Sequence, residues 1–391
     1  MVFLADILAV PDRLGDSTDS QLRYGALGAL RLDPLLVLAI IAGVTKHIGL
    51  ACTVSASYFE PFAVARAMAT LDHLSNGRAA WNIVTSFQEA EARNFGRNDQ
   101  LSREQRYDRA DEFMQVACKL WDSWQDGALI RDRDTPLFAD PSRVHSIDHD
   151  GTWFNVRGPL NISRPPQGRP VFVQAGASDR GRDFAARWAE VVFVTPGAPD
   201  AAKDFRLDLR ARAARFGRNH DDIKVLPGIA PIIAETTEAA EAQQVLLSSL
   251  SEPEAGLSTL SYHLGVDLSR LPQDQVLPEA LDVPGVEGHF REVVELTRRT
   301  GLSLAELGQR YGAGRTTLGF TGTPGAVADR MQEWQDAGAC DGFMLQIPYF
   351  PGGLENVVRL LVPELQRRGL FRTEYTGTTL RDHLGLARPP A

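Results

Sequence analysis

Thr70–Ser86 reads TLDHLSNGRAAWNIVTS: the end of a helix, a glycine stop and a buried strand. Leu71 and Leu74 stand three apart, the spacing of one helical face. Asn76-Gly77 supplies the left-handed residue that closes many helices. Arg78 then leads into Ala79–Thr85, a mostly apolar run holding a Trp and β-branched residues, the composition of a strand covered on both faces. Asn82, Thr85 and Ser86 sit at its carboxyl end, the end where α/β folds bind ligands. On spacing alone this is an ordinary helix–turn–strand unit with a polar exit.

The same unit recurs on both sides. Val2–Val10 opens as a strand that reaches Asp6, and polar residues 11–30 form a loop over the sheet end. Asp33 caps a helix that begins at Pro34. Ile48–Thr53 is the next strand, and Pro61 opens the helix that runs into the central stretch. A long helix spans about Arg103 to Trp124, with Tyr107, Ala110, Met114, Ala117 and Trp121 at steps of three and four. Residues 125–170 are irregular, with a hairpin expected between Thr152–Val156 and Leu160–Ser163. Strands follow at 170–174, 191–195, 224–234 and 342–347, separated by helices. Between about 248 and 318 no strand stands out, and helices are expected at 290–299 and 303–311. Thr323 caps a helix from Pro324, and the segment from 370 reads as a polar, loose tail.

Alternation of this kind builds right-handed βαβ units and a parallel sheet. Seven strands are legible, at 2–6, 48–53, 79–85, 170–174, 191–195, 224–234 and 342–347. A (β/α)8 barrel needs eight, while an open doubly wound sheet needs about five or six. No GxGxxG opens a helix after a strand, and no break in composition divides the chain into halves, so the barrel is favoured.

Composition narrows the function. The net charge of −9 and the lack of a basic stripe argue against nucleic acid and a membrane surface. The longest apolar run, Pro34–Val44, is too short to span a bilayer. There is no export leader, which points to the cytoplasm. Cys52, Cys118 and Cys340 are widely spaced and suit reduced thiols.

Nucleophile, zinc and phosphate-loop motifs are all absent. His145 and His149, with Asp148 and Asp150, imitate a metal site, but they lie in an irregular loop without a third His or Cys nearby, so a solvated loop is preferred. The tryptophans read as core. What remains is a set of small polar groups at strand exits: Asp6, Thr53, Ser55, Asn82, Thr85, Ser86 and Ala177-Ser178. Neutral donors at a barrel mouth suit a phosphate and a heteroaromatic ring, and so an organic cofactor that carries its own chemistry.

Longer blocks carry a resemblance. They are TVSASYFEPFAVARAMATLDHLSNGRAAWNIVTS at 53–86, NFG at 94–96, RYDRADEF at 106–113, LWDSW at 120–124, FADPSRVHSIDHDGTWFNVRGPLNISRPPQGRPVFVQAGASDRGRDFAARWAEVVF at 138–193 and GTPGAVADRMQEWQDAGACDGFML at 322–345. In order and content they resemble the flavin-dependent monooxygenases of the bacterial-luciferase superfamily. The branch is the one acting on nitrilotriacetate, EDTA, dibenzothiophene sulfone and pristinamycin.

The resemblance implies a TIM (β/α)8 barrel over residues 1–369 with a long insertion near 248–318, followed by the tail 370–391. It implies an enzyme that takes reduced FMN from a separate NAD(P)H:flavin reductase. Oxygen adds at the flavin C4a position, and the peroxyflavin oxidises a small nitrogen- or sulfur-containing substrate. By motif, Asp6, Thr53, Asn82, Tyr107, Ala177 and Ser178 contact the cofactor. Family members are often dimers or tetramers, so a homo-oligomer is expected.

Two departures stand out. The family often has His four residues before the RY tyrosine, where this chain has Arg103. Arg103 can meet a phosphate or an acidic substrate but cannot act as a base. Family members also begin with another strand and helix before the segment that matches VFLAD. The first barrel strand is therefore expected to be missing, with unpaired edges at Val2–Asp6 and at the last strand. The alternative reading is a flavin-binding protein of the same fold without turnover.

Overall fold

Short apolar runs alternating with capped helices assemble into one eight-stranded sheet. A computed structural model describes residues 1–25, 29–176, 178–283, 285, 287–312 and 318–390. The strands are β1 (Val2–Leu4), β2 (Leu50–Ser55), β3 (Ala79–Val84), β4 (Val171–Gln174), β5 (Val191–Val194), β6 (Lys224–Ile233), β7 (Leu318–Gly322) and β8 (Met344–Leu345). They run in the order β1-β2-β3-β4-β5-β6-β7, with β8 beside β6. Every ladder among them is parallel. Around them lie α1 (Pro34–Val44), α2 (Pro61–Leu74), α3 (Arg103–Asp122), α4 (Asp179–Trp188), α5 (Pro199–Arg215), α6 (Thr237–Ser249), α7 (Pro253–Leu264), α8 (Glu287–Thr300), α9 (Leu304–Gly312) and α10 (Pro324–Asp336).

The seven expected strands are all present, and β7 is the eighth. Two glycines in its five residues, Gly319 and Gly322, hid it from a search for β-branched runs. Ten-residue β6 pairs with β5 along Lys224–Pro227 and with β7 along Ile229–Ile233. Among the described residues β1 pairs with β2 alone and β8 with β6 alone, so no ladder joins β1 to β8. The expected hairpin is displaced: His149–Asp150 pairs with Asn155–Val156, and Leu160–Ser163 forms no strand.

Pleating sorts β3 onto two faces. Trp81 and Ile83 turn outward, where Trp81 packs on Phe113 and Trp121 of α3 at 5.6 and 6.5 Å between ring centroids. Ala80 turns inward to a small-residue core with Ala51, Val171, Val173 and Val191. The helix leading in behaves as expected at Leu71, which is buried, but Leu74 is exposed. Asn76 and Gly77 both take positive φ, at 54° and 85°. Arg78 is buried and donates to the carbonyls of Ala42, Thr45, Ile48 and Ser75, which ties the start of β3 to the end of α1.

The segment from 370 is not a loose tail. The helix Leu380–Leu384 inserts Leu380 into the inward core, and Leu386 follows. The Leu380 amide donates to Gly77 O at 2.8 Å. Arg381, only 2% exposed, pairs with Glu190 at 2.5 and 3.0 Å and donates to the carbonyls of Arg169 and Ala387. Its polar composition concealed this, because the few apolar side chains do the packing and one buried ion pair anchors them. These contacts gather at the amino ends of β2–β5. The plug thus closes that end and leaves the carboxyl ends for a site.

Segment 248–318 holds α7, α8 and α9 around Leu260, Leu264, Val293, Leu304 and Leu307. The two expected helices are there, and α7 is an addition. Gly256 and Gly308 let α7 and α9 meet backbone to backbone, with no room for a Cβ at either. All three cysteines are free and buried. Burial pushes the thiols of Cys52 and Cys118 up to about 12 and that of Cys340 up to about 11.

Arg381→Met leaves the largely buried Glu190 carboxylate without its cation. Loss of one partner of a buried pair costs about 3–5 kcal/mol, so urea unfolding of this variant is expected to show that loss against the native chain. A midpoint shift near zero would contradict the anchoring role.

Candidate active site at the carboxyl ends of the strands

Parallel register brings Thr53 of β2 opposite Asn82 of β3. Both are buried, and the Asn82 amide donates to Thr53 Oγ1 at 2.9 Å. The Asn82 Oδ1 atom is buried with no hydrogen-bond partner. A buried amide oxygen left unpaired costs roughly 1–3 kcal/mol, so it marks a position built for a donor.

Next to this pair, the chain leaves β3 through Thr85 and Ser86. The Tyr107 phenol, buried on the first turns of α3, stands beside the Ser178 hydroxyl at Gly181, and burial raises its pKa. Ser178 is the N-cap of α4, and its Oγ accepts from the Gly181 amide at 3.2 Å. A Cβ at Gly181 would stand 2.8 Å from Tyr107 Oη, and one at Gly176 would stand 2.9 Å from the Gly181 carbonyl carbon. The absence of side chains at both glycines is what lets the β4–α4 turn close on Tyr107. Ala177 lies outside the described residues.

Asp6 lies just beyond β1, half-buried, with Oδ1 accepting from the Ile7 amide at 2.9 Å. Burial raises its pKa, against the pull of that amide and of Arg31. Glu91, which sequence reasoning did not single out, is buried close to it. Glu91 accepts from Leu8 N at 3.1 Å, and Ser86 Oγ is 2.9 Å from Ser55 Oγ. Ser86 holds φ at +46°, a strained value for a serine at a strand exit. Burial raises the Glu91 carboxyl. In sequence, Glu91 is one of two glutamates in a charged loop, and only the fold shows which of them turns inward.

Arg103 stands at the first position of α3, behind the N-cap Ser102, and donates to Gly285 O at 3.2 Å. With Arg106 it lines a cavity of about 700 Å³ between the loop after β3 and segment 265–291. The loop is clamped to α7 by Gln88 Nε2 donating to Tyr262 O at 2.7 Å. Asp6, Thr53, Asn82, Tyr107, Ser178 and Arg103 thus all lie at the carboxyl-end side of the sheet. His149 is instead taken up by Glu112 and Lys119, both at 3.2 Å, and among the described residues no group of His, Cys, Asp or Glu is arranged to hold a metal. No described helix is long and apolar enough to cross a membrane.

Glu91 yields a pH test. An acid whose pKa is raised on folding contributes stability below its unfolded value, 4.5, and loses that contribution as pH rises. The stability of the native chain relative to Glu91→Gln is therefore expected to fall as pH rises above 4.5 in thermal melts. A constant or rising difference would show that the carboxylate is held ionised instead.

Comparison with known proteins agrees with this geometry. Residues 6–340 match the family model described as luciferase-like monooxygenase. The chain is 45% identical to the dibenzothiophene-sulfone monooxygenase of Rhodococcus erythropolis over 396 residues, covering 100% of this chain and 87% of that one. It is 45% identical to nitrilotriacetate monooxygenase component A of Aminobacter aminovorans, covering 99% and 86%. Among solved structures, a riboflavin lyase with modified FMN and riboflavin superposes with a TM-score of 0.91 at 32% identity, over 100% of this chain and 86% of that chain. The chain therefore belongs to the luciferase-like monooxygenase family, as a flavin-dependent monooxygenase of TIM-barrel type.

Proposed function

We propose that this chain uses reduced FMN and oxygen to oxidise a small organic nitrogen- or sulfur-containing compound. The observation that carries the reading is the buried, unpartnered Asn82 Oδ1 at the strand ends, an acceptor suited to a ring N–H. Thr53 holds the Asn82 amide so that this oxygen keeps its direction. A phosphate suits the other end of the arrangement: the Tyr107 and Ser178 hydroxyls, the amino terminus of α4, and a turn cleared of side chains at Gly176 and Gly181. Asp6, half-buried just beyond β1, would face the flavin ring, and Arg103 would add charge beside the phosphate. When bound, the flavin supplies the oxygen-transfer chemistry. The chain's own residues bind and orient it, and α7, clamped by Gln88, keeps water out.

A relative named as a component A supports a separate partner, here an NAD(P)H:flavin reductase. A relative solved with modified FMN supports the cofactor. We place the enzyme in the cytoplasm, as a homo-oligomer.

Anaerobic titration with reduced FMN is expected to saturate. Tyr107→Phe and Ser178→Ala should each weaken binding about tenfold, the worth of one hydrogen bond to a charged group. Unchanged affinity in both variants would reject the assignment. A panel of amines, sulfones and thioethers, supplied with reduced FMN and oxygen, tests turnover, and no product from any of them would count against the activity.

A further inference from the structure

The cavity beside α3 is lined by four arginines, Arg13, Arg103, Arg106 and Arg291, against two carboxylates, Glu89 and Asp282. Two of the arginines carry the argument. Arg106 is only 8% exposed. Its guanidinium donates to Leu101 O at 2.7 Å, a neutral acceptor, and its Nε is buried without a partner. Arg13 meets Glu89 at 3.4 Å on the outer side, and its Nε is likewise buried without a partner. A buried guanidinium is costly unless a charge and hydrogen bonds compensate it. Burial already presses the Arg106 pKa down. The buried Arg106 and the partly exposed Arg13, both lining this cavity of about 700 Å³, match the paired oxygens of a carboxylate, which guanidinium binds in a fork.

We propose that this cavity is the substrate subsite and that it selects a substrate carrying carboxylates, recognised by Arg13 and Arg106. The inference rests on the monooxygenase reading for the oxidised nitrogen or sulfur, and it adds the charge of the substrate. The apolar part of the lining, Phe87, Leu281 and Phe290, would take the carbon skeleton.

Thiodiacetate, a thioether with two carboxylates, is a direct probe, and its dimethyl ester is the neutral control. Calorimetric titration of the full chain, anaerobic and with reduced FMN present, is expected to show saturable thiodiacetate binding and none for the ester. Arg13→Gln and Arg106→Gln should each weaken it at least about tenfold, the worth of a charge-assisted hydrogen bond. Arg13 lies near the rim, so its variant keeps the test alive if the Arg106 variant does not fold. Equal binding of acid and ester, no saturable acid binding, or native affinity in the Arg13 variant would overturn the proposal. The same variants are titrated with FMN and with riboflavin. A loss confined to FMN would assign these arginines to the cofactor phosphate and also overturn it. Failure of FMN to bind while thiodiacetate still does would strike the cofactor reading and leave this subsite standing.

Discussion

A fully buried carboxylate, Asp72, holds the sheet in register. It accepts hydrogen bonds from the Ala79 amide at 3.1 Å, the Gln167 amide at 3.1 Å and the Gln167 side chain at 2.6 Å. Gln167 in turn donates to Ala79 O and accepts from the Arg381 amide. One group thereby joins the end of α2, the start of β3, the approach to β4 and the carboxyl-terminal plug. Burial raises the Asp72 pKa, and the Gln167 and Ala79 bonds work against that rise. A slip of one residue at β3 would turn Asn82 outward and Trp81 into the barrel, since side chains alternate along a strand. The position of the site is therefore set at the opposite end of the strands.

This division of labour follows from packing. At the amino ends, polar groups are satisfied: Arg78, Asp72, Gln167 and Arg381 all find partners. At the carboxyl ends they are not. Asn82 Oδ1 and Arg106 Nε are buried and unpaired, and Ser86 is held at positive φ. Departures from local rules concentrate where function is built. Stability gained on the floor offsets strain at the mouth.

Much of this was legible in the sequence. The period of apolar residues, the caps at Asp33 and Thr323 and the Asn76-Gly77 stop identify helices and strands because they depend on neighbours in the chain. The small polar residues at strand ends pointed to the site for the same reason: strand polarity places them. What escaped was whatever depends on partners far along the chain. β7 carries glycines and is a strand only because β6 is long enough to pair with it. Leu380 and Arg381 look like tail residues until Gly77 and Glu190 are beside them. Glu89 and Glu91 are alike in sequence, yet one is exposed and the other buried against Leu8.

The two arginines of α3 illustrate how such a conflict can be read. Arg103 and Arg106 stand at the amino-terminal turn of a helix, where the backbone dipole disfavours cations by about 0.3–1 kcal/mol each. Glu104 in the same turn is exposed and follows the rule, whereas Arg106 is buried and breaks it. The capping box of Ser102 and Gln105 secures the helix start without them, so helix stability does not explain their presence. An anion that met both the dipole and the guanidinium groups would turn this local penalty into binding energy. Positive charge collected at the positive end of α3 is thus intelligible as a site kept ready for a negative group.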